Sequence, residues 1–317
     1  MPNIEAFVRE DKEPFLASST TYYELWTMDR WQEGKHGGGK MPDLKGKVAI
    51  VTGVGRARGI GRGCALRLAR DGADIVISDI CRKYEGDLAF YNLGDWEQLQ
   101  NVVREIEALG RRALAFKVDV TKKGEIQEMV DGALTEFGRV DILVNNAGSA
   151  VGVGPFLSIS EAAWDKTFAV NAKGAYLCCQ TVLPAMIEQK SGKIVNIAST
   201  AGLRGSASYG AYCASKFAVV GLTQVLAAEF AQFNINVNCV CPAMVETDLG
   251  FEEYEFLSFV KGGTVEEARQ AVIDTIPLGR AANAEDIANV VSFLVSERAN
   301  YMVGQAVAVT GGMEFNH

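Results

Sequence analysis

Residues 52–61 read Thr52-Gly-Val-Gly-Arg-Ala-Arg-Gly-Ile-Gly61 and directly follow a short β-branched run, Val48 to Val51. Helical periodicity runs from Gly61 to Arg70, and a second β-branched run occupies Ile75 to Ser78. Glycine permits tight turns and close backbone approach, so a glycine-rich turn between a strand and a helix is typical of a pyrophosphate site at a helix N-terminus. The stretch therefore predicts a dinucleotide-binding βαβ unit.

The same alternation of short apolar strands with helical segments continues along the chain, which is typical of a parallel sheet covered by helices. Five further strands are predicted at Ala113 to Val118, Ile142 to Asn145, Ile194 to Ile197, Ile235 to Val240 and Ala306 to Val309. Helical periodicity fits Trp96 to Leu109, Glu125 to Phe137, Glu161 to Gln189, Tyr212 to Phe233, Val265 to Ile273 and Glu285 to Val295.

These segments predict the α/β class, with a doubly wound Rossmann fold and a seven-stranded parallel sheet in a single domain. The predicted domain spans residues 45–317 and includes a lid region at about residues 248–276. Residues 1–44 lack sustained periodicity and are predicted to form an N-terminal extension.

Composition and charge exclude several classes of protein. Hydrophobic residues make up 48% and charged residues 22% of the chain, as in ordinary globular proteins. The net charge of -8 argues against nucleic acid as a partner, because such binding depends on basic patches. The seven cysteines lie mostly in apolar patterns and are interpreted as reduced core residues. Cys239 and Cys241 lack the further ligands that zinc needs, so no metal is expected.

The chain begins with an acidic segment that lacks the continuous apolar stretch of a signal peptide, which predicts a cytoplasmic protein. The stretch from Phe217 to Phe233 is apolar, but Gln224 and Glu229 interrupt it. A buried or subunit-interface helix is therefore expected there, and no membrane span.

Asp79 ends the second predicted strand, eighteen residues after Gly61. A carboxylate at this distance is suited to bind the adenosine ribose diol and repels a 2′-phosphate, which favours NAD over NADP. Four nearby basic residues favour NADP instead, because each has a side chain suited to binding a phosphate. They are Arg56, Arg58, Arg82 and Lys83.

Two further strand ends are suited to a nucleotide. Asp119 ends the third strand, where it would contact the adenine amino group or simply cap the strand. Asn145-Asn-Ala-Gly148 ends the fourth strand with small residues that would admit the cofactor backbone, or would form only a turn.

A candidate catalytic group follows the fifth strand. Ser199 comes thirteen residues before Tyr212, and Tyr212-Cys-Ala-Ser-Lys216 places tyrosine and lysine on one helical face. The ammonium of Lys216 would favour the phenolate of Tyr212 and bring its pKa toward working pH. A phenol of this kind exchanges a proton with a carbonyl or an alcohol, and Ser199 would hold the same oxygen.

Taken together, these motifs resemble the classical short-chain dehydrogenase/reductase family, over roughly Leu44 to Met313. The resemblance implies that Tyr212 is the general acid/base and that Ser199 orients the substrate oxygen. It also implies that Lys216 binds the nicotinamide ribose and lowers the tyrosine pKa. Asn171, in Asn-Ala-Lys-Gly, would hold a water that links Lys216 to solvent.

The resemblance also implies a set of cofactor-binding residues, including Thr247, which would bind the nicotinamide carboxamide. The set is Gly53, Arg58, Gly59, Ile60, Gly61, Asp79, Asp119, Val120, Asn146, Ala147, Gly148, Tyr212, Lys216, Pro242, Val245 and Thr247.

The chain departs from the family pattern at two places. Gly53 and Gly59 enclose five residues where the family usually has three, a form similar to that of enoyl reductases. Enoyl reductases, however, space their tyrosine and lysine more widely than Tyr212 and Lys216, so carbonyl/alcohol chemistry is favoured. The second departure, an insertion from Arg82 to Gly94, is similar to that of carveol dehydrogenase-like enzymes, which hold NAD tightly. The alternative is a surface excursion.

The predicted reaction is NAD-dependent interconversion of a secondary alcohol and a ketone, on a small and apolar or cyclic substrate. The alternatives are a non-catalytic NAD-sensing or scaffold homologue and an NADP-dependent ketoreductase. Substrate walls are expected from Ser149 to Phe156, Thr200 to Ser208, and Asp248 to about Ile276, whose aromatic residues either line a lid or anchor it. Arg204 would pair with an anionic substrate or remain solvated.

The resemblance also implies a homotetramer, or a homodimer, because the two longest helices carry more apolar residues than one sheet face covers. The extension before Leu44 would lie on a neighbouring subunit or form a free tail.

Overall fold

The computed structural model describes residues 43–82 and 94–313. These residues form one seven-stranded sheet with all pairings parallel and the order β3-β2-β1-β4-β5-β6-β7. All seven predicted strands are confirmed. Their bounds are β1 Val48–Thr52, β2 Asp74–Asp79, β3 Ala113–Lys117, β4 Ile142–Asn145, β5 Gly192–Ile197, β6 Ile235–Pro242 and β7 Ala306–Val309.

Helices cover both faces of the sheet. Within the described residues they are α1 Ile60–Arg70, α2 Trp96–Ala108, α3 Lys123–Phe137, α4 Glu161–Phe168, α5 Gly174–Gln189, α6 Gly210–Phe230, α7 Asp248–Lys261, α8 Val265–Ile273 and α9 Ala284–Val295. The predicted doubly wound Rossmann fold in a single domain is thereby confirmed.

Alternate residues of the first strand enter two separate hydrophobic cores, as the period of two in a strand requires. In β1, Ala49 and Val51 pack with α1, α2 and α9, whereas Val48 and Ile50 pack with α3 and α5. Burying a side chain such as Ile50 completely stabilises the fold by roughly 1.5–3 kcal/mol. The central strands are thus apolar on both faces and read as continuous hydrophobic runs.

The strand order determines where in the fold a ligand site is expected. The chain proceeds outward from β1 to β3 on one side and from β4 to β7 on the other, while β1 and β4 lie side by side. Ligands bind outside the carboxyl ends of the strands at such a switch point, because the loops there diverge and leave a crevice.

The helices differ from the prediction at two places. The segment Glu161 to Gln189 is not one continuous α-helix, since a π-helical turn at Ala169–Lys173 separates α4 from α5. In the lid region, α7 is a helix that periodicity did not identify. It begins because the Thr247 side chain accepts a hydrogen bond from the Gly250 amide, and it ends before Gly262 at a φ of 76°.

One helix of the described residues, Gly210–Phe233, is long and apolar enough to cross a membrane by length and composition. It carries buried Lys216 and Thr223, and both bond to β5: Lys216 donates to the Ile197 carbonyl, and Thr223 accepts from the Asn196 amide. These contacts are those of a core helix packed on the sheet.

The predicted extension lies outside the described residues, except for Asp43 and Leu44. Leu44 is buried in the core, and its amide donates to the Asp71 carbonyl at 2.7 Å. The interior of the insertion, residues 83–93, and the last four residues of the chain also lie outside the described residues.

Candidate active site

A cavity of about 570 Å³ lies at the carboxyl ends of the strands. The glycine turn, Asp79 and Asp119 line one end, and Ser199, Tyr212 and residues of α7 line the other. A volume of this size is typical of a small-molecule site. We refer to the two halves as the nucleotide end and the substrate end.

Close backbone approach at the nucleotide end requires glycine. Gly53 has a φ of 71°, and a Cβ there would lie 2.7 Å from the Ala147 Cα. A Cβ at Gly61 would lie 2.4 Å from the Gly53 carbonyl oxygen. Gly53, Gly59 and Ile60 line the cavity, whereas Gly61 supports the turn from behind.

Asn146 links this turn to the end of the fourth strand by hydrogen bonds. Its side-chain amide donates to the Thr52 and Gly53 carbonyls at 2.9 and 2.8 Å. The Thr52 hydroxyl accepts from the amides of Asn146 and Ala147 at 3.1 Å. Ala147 and Gly148 complete this wall of the cavity. The Asn-Asn-Ala-Gly segment therefore shapes the nucleotide end as well as lining it.

Asp79 points its carboxylate at the glycine turn. Its Oδ2 accepts a hydrogen bond from the Gly55 amide at 2.8 Å, and a Cβ at Gly55 would lie 2.9 Å from the Asp79 Cγ. Burial raises the pKa of Asp79, and the hydrogen bonds from backbone amides, led by that of Gly55, oppose this shift. The carboxylate lies at the cavity wall, where a ribose diol would meet it.

Asp119 also lines the nucleotide end, next to Val120. Burial opposes its ionisation, but hydrogen bonds from Thr121 and the charge of Arg82 outweigh burial and lower its pKa. The Arg82 guanidinium donates to Asp119 Oδ2. Arg82 thus already has a carboxylate partner, whose charge partly offsets that of its guanidinium.

Both described ends of the predicted insertion reach the nucleotide end. Arg82 bonds to Asp119, and Gly94 packs so tightly on the glycine turn that a Cβ there would lie 2.1 Å from the Gly55 carbonyl carbon. The predicted packing by Tyr84, Phe90 and Tyr91 lies outside the described residues. Lys83 lies outside them as well.

Arg58 does not line the cavity in this structure. Its side chain is about three-fifths exposed and pairs with Asp248 of α7 at 2.9 Å. Arg56, by contrast, is a lining residue and pairs with Glu252 of α7 at 3.6 Å. The predicted role of Arg58 in cofactor binding stays a prediction.

Tyr212 and Lys216 lie on one face of α6, where the nucleotide and substrate ends meet. The Lys216 Nζ lies 5.6 Å from the centre of the Tyr212 ring and donates to the Ile197 carbonyl at 2.9 Å. Lys216 is only 5% exposed, and this burial lowers its pKa from 10.5 to about 8. Lys216 therefore releases its proton at a lower pH than an exposed lysine does.

Ser199 follows β5 and begins a short 3-10 turn, Thr200–Gly202. Its Oγ accepts a hydrogen bond from the Ala201 amide at 3.1 Å. That bond uses a lone pair, so the hydroxyl proton remains able to reach a substrate oxygen. Ser199 and Tyr212 both line the cavity.

Asn171 lies behind the cavity wall, in the π-helical turn between α4 and α5. Its Oδ1 accepts from the Ser149 amide, and its Nδ2 donates to the Ser149 carbonyl and the Ser215 hydroxyl, all at 2.8–2.9 Å. A Cβ at Gly148 would lie 3.5 Å from Asn171 Oδ1 and 3.7 Å from Lys216 Nζ. The two side chains therefore flank one glycine, and the water between them stays a prediction.

Pro242, Val245 and Thr247 line the cavity after β6. The Thr247 hydroxyl accepts from the Gly250 amide at 3.1 Å and donates to the Val245 carbonyl at 3.4 Å. These bonds use the proton and one lone pair, so the hydroxyl oxygen can still accept one further bond. The predicted contact with the carboxamide stays a prediction.

The aromatic residues of the lid region divide between the two predicted roles. Phe256 and Leu257 line the substrate end, whereas Tyr254 is fully buried beside Phe251 and anchors α7. Phe259 is 87% exposed, so it neither lines the cavity nor anchors α7. Arg204 is exposed at the rim of the cavity.

Tyr209 and Glu253 both line the substrate end. Sequence reasoning missed Tyr209, and it included Glu253 only as part of the predicted wall from Asp248 to about Ile276, without a role of its own. Tyr209 precedes Tyr212 by three residues, so helical spacing offered a signal. Glu253 interrupts the aromatic stretch of α7. Their contact spans 44 positions, and no local pattern indicates it.

The site fits a nicotinamide dinucleotide. The glycine turn would admit a pyrophosphate, and the Asp79 carboxylate lies at the cavity wall, as binding of a ribose diol requires. Pro242, Val245 and Thr247 line the same cavity as Tyr212 and Lys216, as a nicotinamide site would require. Within residues 43–82 and 94–313, no three His, Cys, Asp or Glu side chains cluster in a way that could hold a metal ion.

The fold and this site define a Rossmann-fold oxidoreductase. A family model described as enoyl-(acyl carrier protein) reductase matches residues 53–314. The chain is 34% identical to a 3-oxoacyl-(acyl-carrier-protein) reductase of Thermotoga maritima, covering 85% of this chain and 98% of that protein. It is 38% identical to the (2S)-((R)-hydroxy(phenyl)methyl)succinyl-CoA dehydrogenase subunit BbsD of Thauera aromatica, covering 85% and 97%.

Among solved structures, the fold is similar to carveol dehydrogenase from Mycobacterium avium in complex with NAD, with a TM-score of 0.81. The identity is 28%, and the match covers 86% of this chain and 99% of that one. The chain belongs to the classical short-chain dehydrogenase/reductase family, whose matched members here are oxidoreductases acting on CH–OH groups.

Proposed function

We propose that the protein is an NAD-dependent oxidoreductase that interconverts a secondary alcohol and a ketone. The observation that carries this proposal is the position of Tyr212 and buried Lys216 at the middle of a cavity whose nucleotide end presents Asp79. Ser199 borders the same space. The residue types and their places support proton exchange at a substrate oxygen next to a bound nicotinamide.

In this mechanism, bound NAD supplies the hydride acceptor for oxidation, or in its reduced form the donor for reduction. Tyr212 takes the hydroxyl proton of the alcohol, or returns it to the ketone. The charge of Lys216 favours the phenolate of Tyr212, and Ser199 holds the substrate oxygen by its hydroxyl. Asn171 positions the Ser149 segment and, through a water, supplies the proton path to Lys216.

Preference for NAD over NADP rests on the charge at Asp79. A 2′-phosphate would approach this carboxylate, while Arg82 and Arg58 are already engaged by Asp119 and Asp248. The structural relative in complex with NAD also supports the preference. Because the insertion from Arg82 to Gly94 is similar to that of enzymes that hold NAD tightly, we also propose that this protein retains NAD tightly.

A second candidate is an NADP-dependent ketoreductase, which the 3-oxoacyl reductase relative favours. Arg56 lines the nucleotide end and would meet the 2′-phosphate in that case. A non-catalytic sensor or scaffold is less well supported, since a protein without turnover has no chemical need for Ser199, Tyr212, Lys216 and Asn171 together.

The substrate is a small molecule with an apolar or cyclic body, and neither nucleic acid nor a membrane is expected as a partner. Apolar side chains such as Val153, Phe256 and Leu257 dominate the substrate end. We further propose a homotetramer or homodimer in the cytoplasm.

A dehydrogenase screen tests this function. Cyclic, steroidal, terpenoid and sugar alcohols are offered with NAD and, separately, with NADP, and a 3-oxoacyl thioester is offered with the reduced cofactors. Oxidation of one alcohol class with NAD, lost in Tyr212→Phe, is expected. Turnover of the thioester with NADPH alone would establish the second candidate, and no turnover of any compound would contradict both.

A further inference from the structure

The substrate end contains one polar pair that the proposed reaction does not use. The Tyr209 hydroxyl donates to Glu253 Oε1 at 2.9 Å. Tyr209 comes just before α6, Glu253 lies on α7, and both line the cavity. The Tyr209 ring packs edge-on against Tyr212, with ring centres 6.4 Å apart, and edge-on against Phe256 at 6.3 Å. The pair is therefore adjacent to the residue proposed for proton exchange.

The direction of this hydrogen bond leaves acceptors facing the cavity. Because Tyr209 gives its only proton to Glu253, its oxygen can only accept a further bond. Burial, then the nearby charge of Glu253, raise the pKa of Tyr209, so the phenol keeps the proton that it donates. Within the described part of the chain no residue bonds to Glu253 Oε2, and Glu253 lines the cavity.

Such an arrangement selects for a hydrogen-bond donor. Desolvation raises the pKa of Glu253, which indicates that its carboxylate lacks full compensation within the protein. An acceptor placed against these oxygens would face them with like partial charge, whereas a hydroxyl group would satisfy Oε2. A site built to bind a hydroxyl rejects analogues without one, because its polar atom is then left unpaired.

We propose that Glu253, held in position by Tyr209, is a specificity-determining residue that binds a second hydroxyl group of the substrate. This inference rests on the proposed function and narrows its substrate class to cyclic diols and the matching hydroxyketones. The ring of such a substrate packs against Phe256 and Leu257, the reacting oxygen meets Tyr212, and the other oxygen meets Glu253. Tyr209 acts only through Glu253 and is a positioning residue.

The test compares matched alcohols in the wild-type enzyme. Oxidation with NAD is measured for cyclohexanol, the 1,2-, 1,3- and 1,4-cyclohexanediols, and the corresponding methoxycyclohexanols, whose second oxygen only accepts. At least one diol is expected to exceed cyclohexanol and its own methyl ether in kcat/KM by about tenfold or more. Equal values across the three classes, or preference for the ethers, would overturn the inference while leaving the proposed function intact.

Two variants assign the preference to Glu253. Glu253→Gln keeps an oxygen for Tyr209 but presents an amide donor to the substrate, so the ratio of diol to ether is expected to fall to one or below. Glu255→Gln removes the same charge from an exposed position of the same helix and should keep the wild-type ratio. If both variants keep that ratio, Glu253 is not the selecting group.

A binding measurement distinguishes a wrong assignment of Glu253 from a wrong proposed reaction. Calorimetric titration of the enzyme–NADH complex with the preferred diol and its methyl ether should show the same selectivity without turnover. A preference for trans-4-aminocyclohexanol over every diol would assign the site to an ammonium group and overturn the hydroxyl assignment. If no alcohol is oxidised but the diol binds through Glu253, the proposed reaction fails and the binding site stands.

Discussion

Arg58 of the glycine turn and Asp248, the first residue of α7, form a two-point contact across 190 positions of the chain. The Arg58 side chain bonds to Asp248 Oδ1 at 2.9 Å, its amide bonds to Oδ2 at 3.3 Å, and its guanidinium lies 4.5 Å from the Phe251 ring centre. Arg56 adds an ion pair to Glu252. The lengthened turn at the nucleotide end is therefore bonded directly to the lid helix.

Removing this contact should loosen α7. Arg58→Ala loses an exposed ion pair and a cation–π contact, together worth about 1–2 kcal/mol. Amide hydrogen exchange in α7 should accelerate by roughly tenfold, since local opening costs less. Arg70→Ala, which breaks an exposed pair to Glu285 far from the lid, is the control. Unchanged exchange in Arg58→Ala would mean that the remaining contacts, such as Arg56–Glu252 and the buried Tyr254, anchor the helix without Arg58.

Tyr212→Phe should lower turnover by roughly a hundredfold or more while NAD binding stays near that of the wild type, because only the proton-transfer group is lost. Steady-state rates and NAD titration measure the two quantities. Tyr301→Phe, at a fully exposed position, is the control for the loss of a phenol. Near-normal turnover in Tyr212→Phe would remove the central element of the mechanism.

Asp79→Asn should weaken NAD binding and shift the ratio of NADP to NAD use by about tenfold or more toward NADP. The amide keeps an oxygen for the Gly55 N–H but removes the charge that repels a 2′-phosphate. Dissociation constants for both cofactors measure the shift. A wild-type enzyme that already prefers NADP would show that Arg56 outweighs Asp79.

Lys216 should destabilise the fold in a pH-dependent way. Its pKa of about 8 in the folded state lies below the ordinary 10.5, so between these values the unfolded chain binds more protons. The cost of burying the charge, about 3 kcal/mol, is full below pH 8 and disappears as the pH approaches 10.5.

Urea unfolding of the wild type and of Lys216→Met, from pH 7.5 to 10.5, measures this cost. The free energy of unfolding of the wild type should rise relative to that of the variant by up to about 3 kcal/mol across the range. Lys122→Met replaces an exposed lysine and serves as control. A constant difference for Lys216→Met would mean that Lys216 keeps its proton throughout.

Assembly is expected because α6 leaves apolar side chains uncovered in the single chain. Phe217 and Val225 are 46% and 54% exposed. Light scattering of the full-length protein should give a tetramer or dimer, and Val225→Glu should reduce its mass. A monomeric wild type would contradict the proposal. A chain starting near Met41 tests the extension, which has no structural role if mass, melting temperature and activity stay the same.

The sequence by itself determined the sheet and the class of protein. Strands such as β1 and the turn after it follow from local periodicity and from glycine's freedom, both of which are properties of neighbouring residues. Tyr212 and Lys216 share a helix face by spacing alone, so their approach needed no tertiary information. For the same reason the sequence predicted which strand ends would line the nucleotide end.

Only the tertiary structure decided the partners of side chains that meet across the fold. It paired Arg58 with Asp248 rather than placing it in the cavity, divided the lid aromatics between lining and anchoring, and brought Tyr209 to Glu253. Each of these contacts depends on how α7 packs over the sheet, which involves residues tens to hundreds of positions apart. Local propensity contains no information about contacts between residues so far apart in the sequence. Packing and burial decide those contacts.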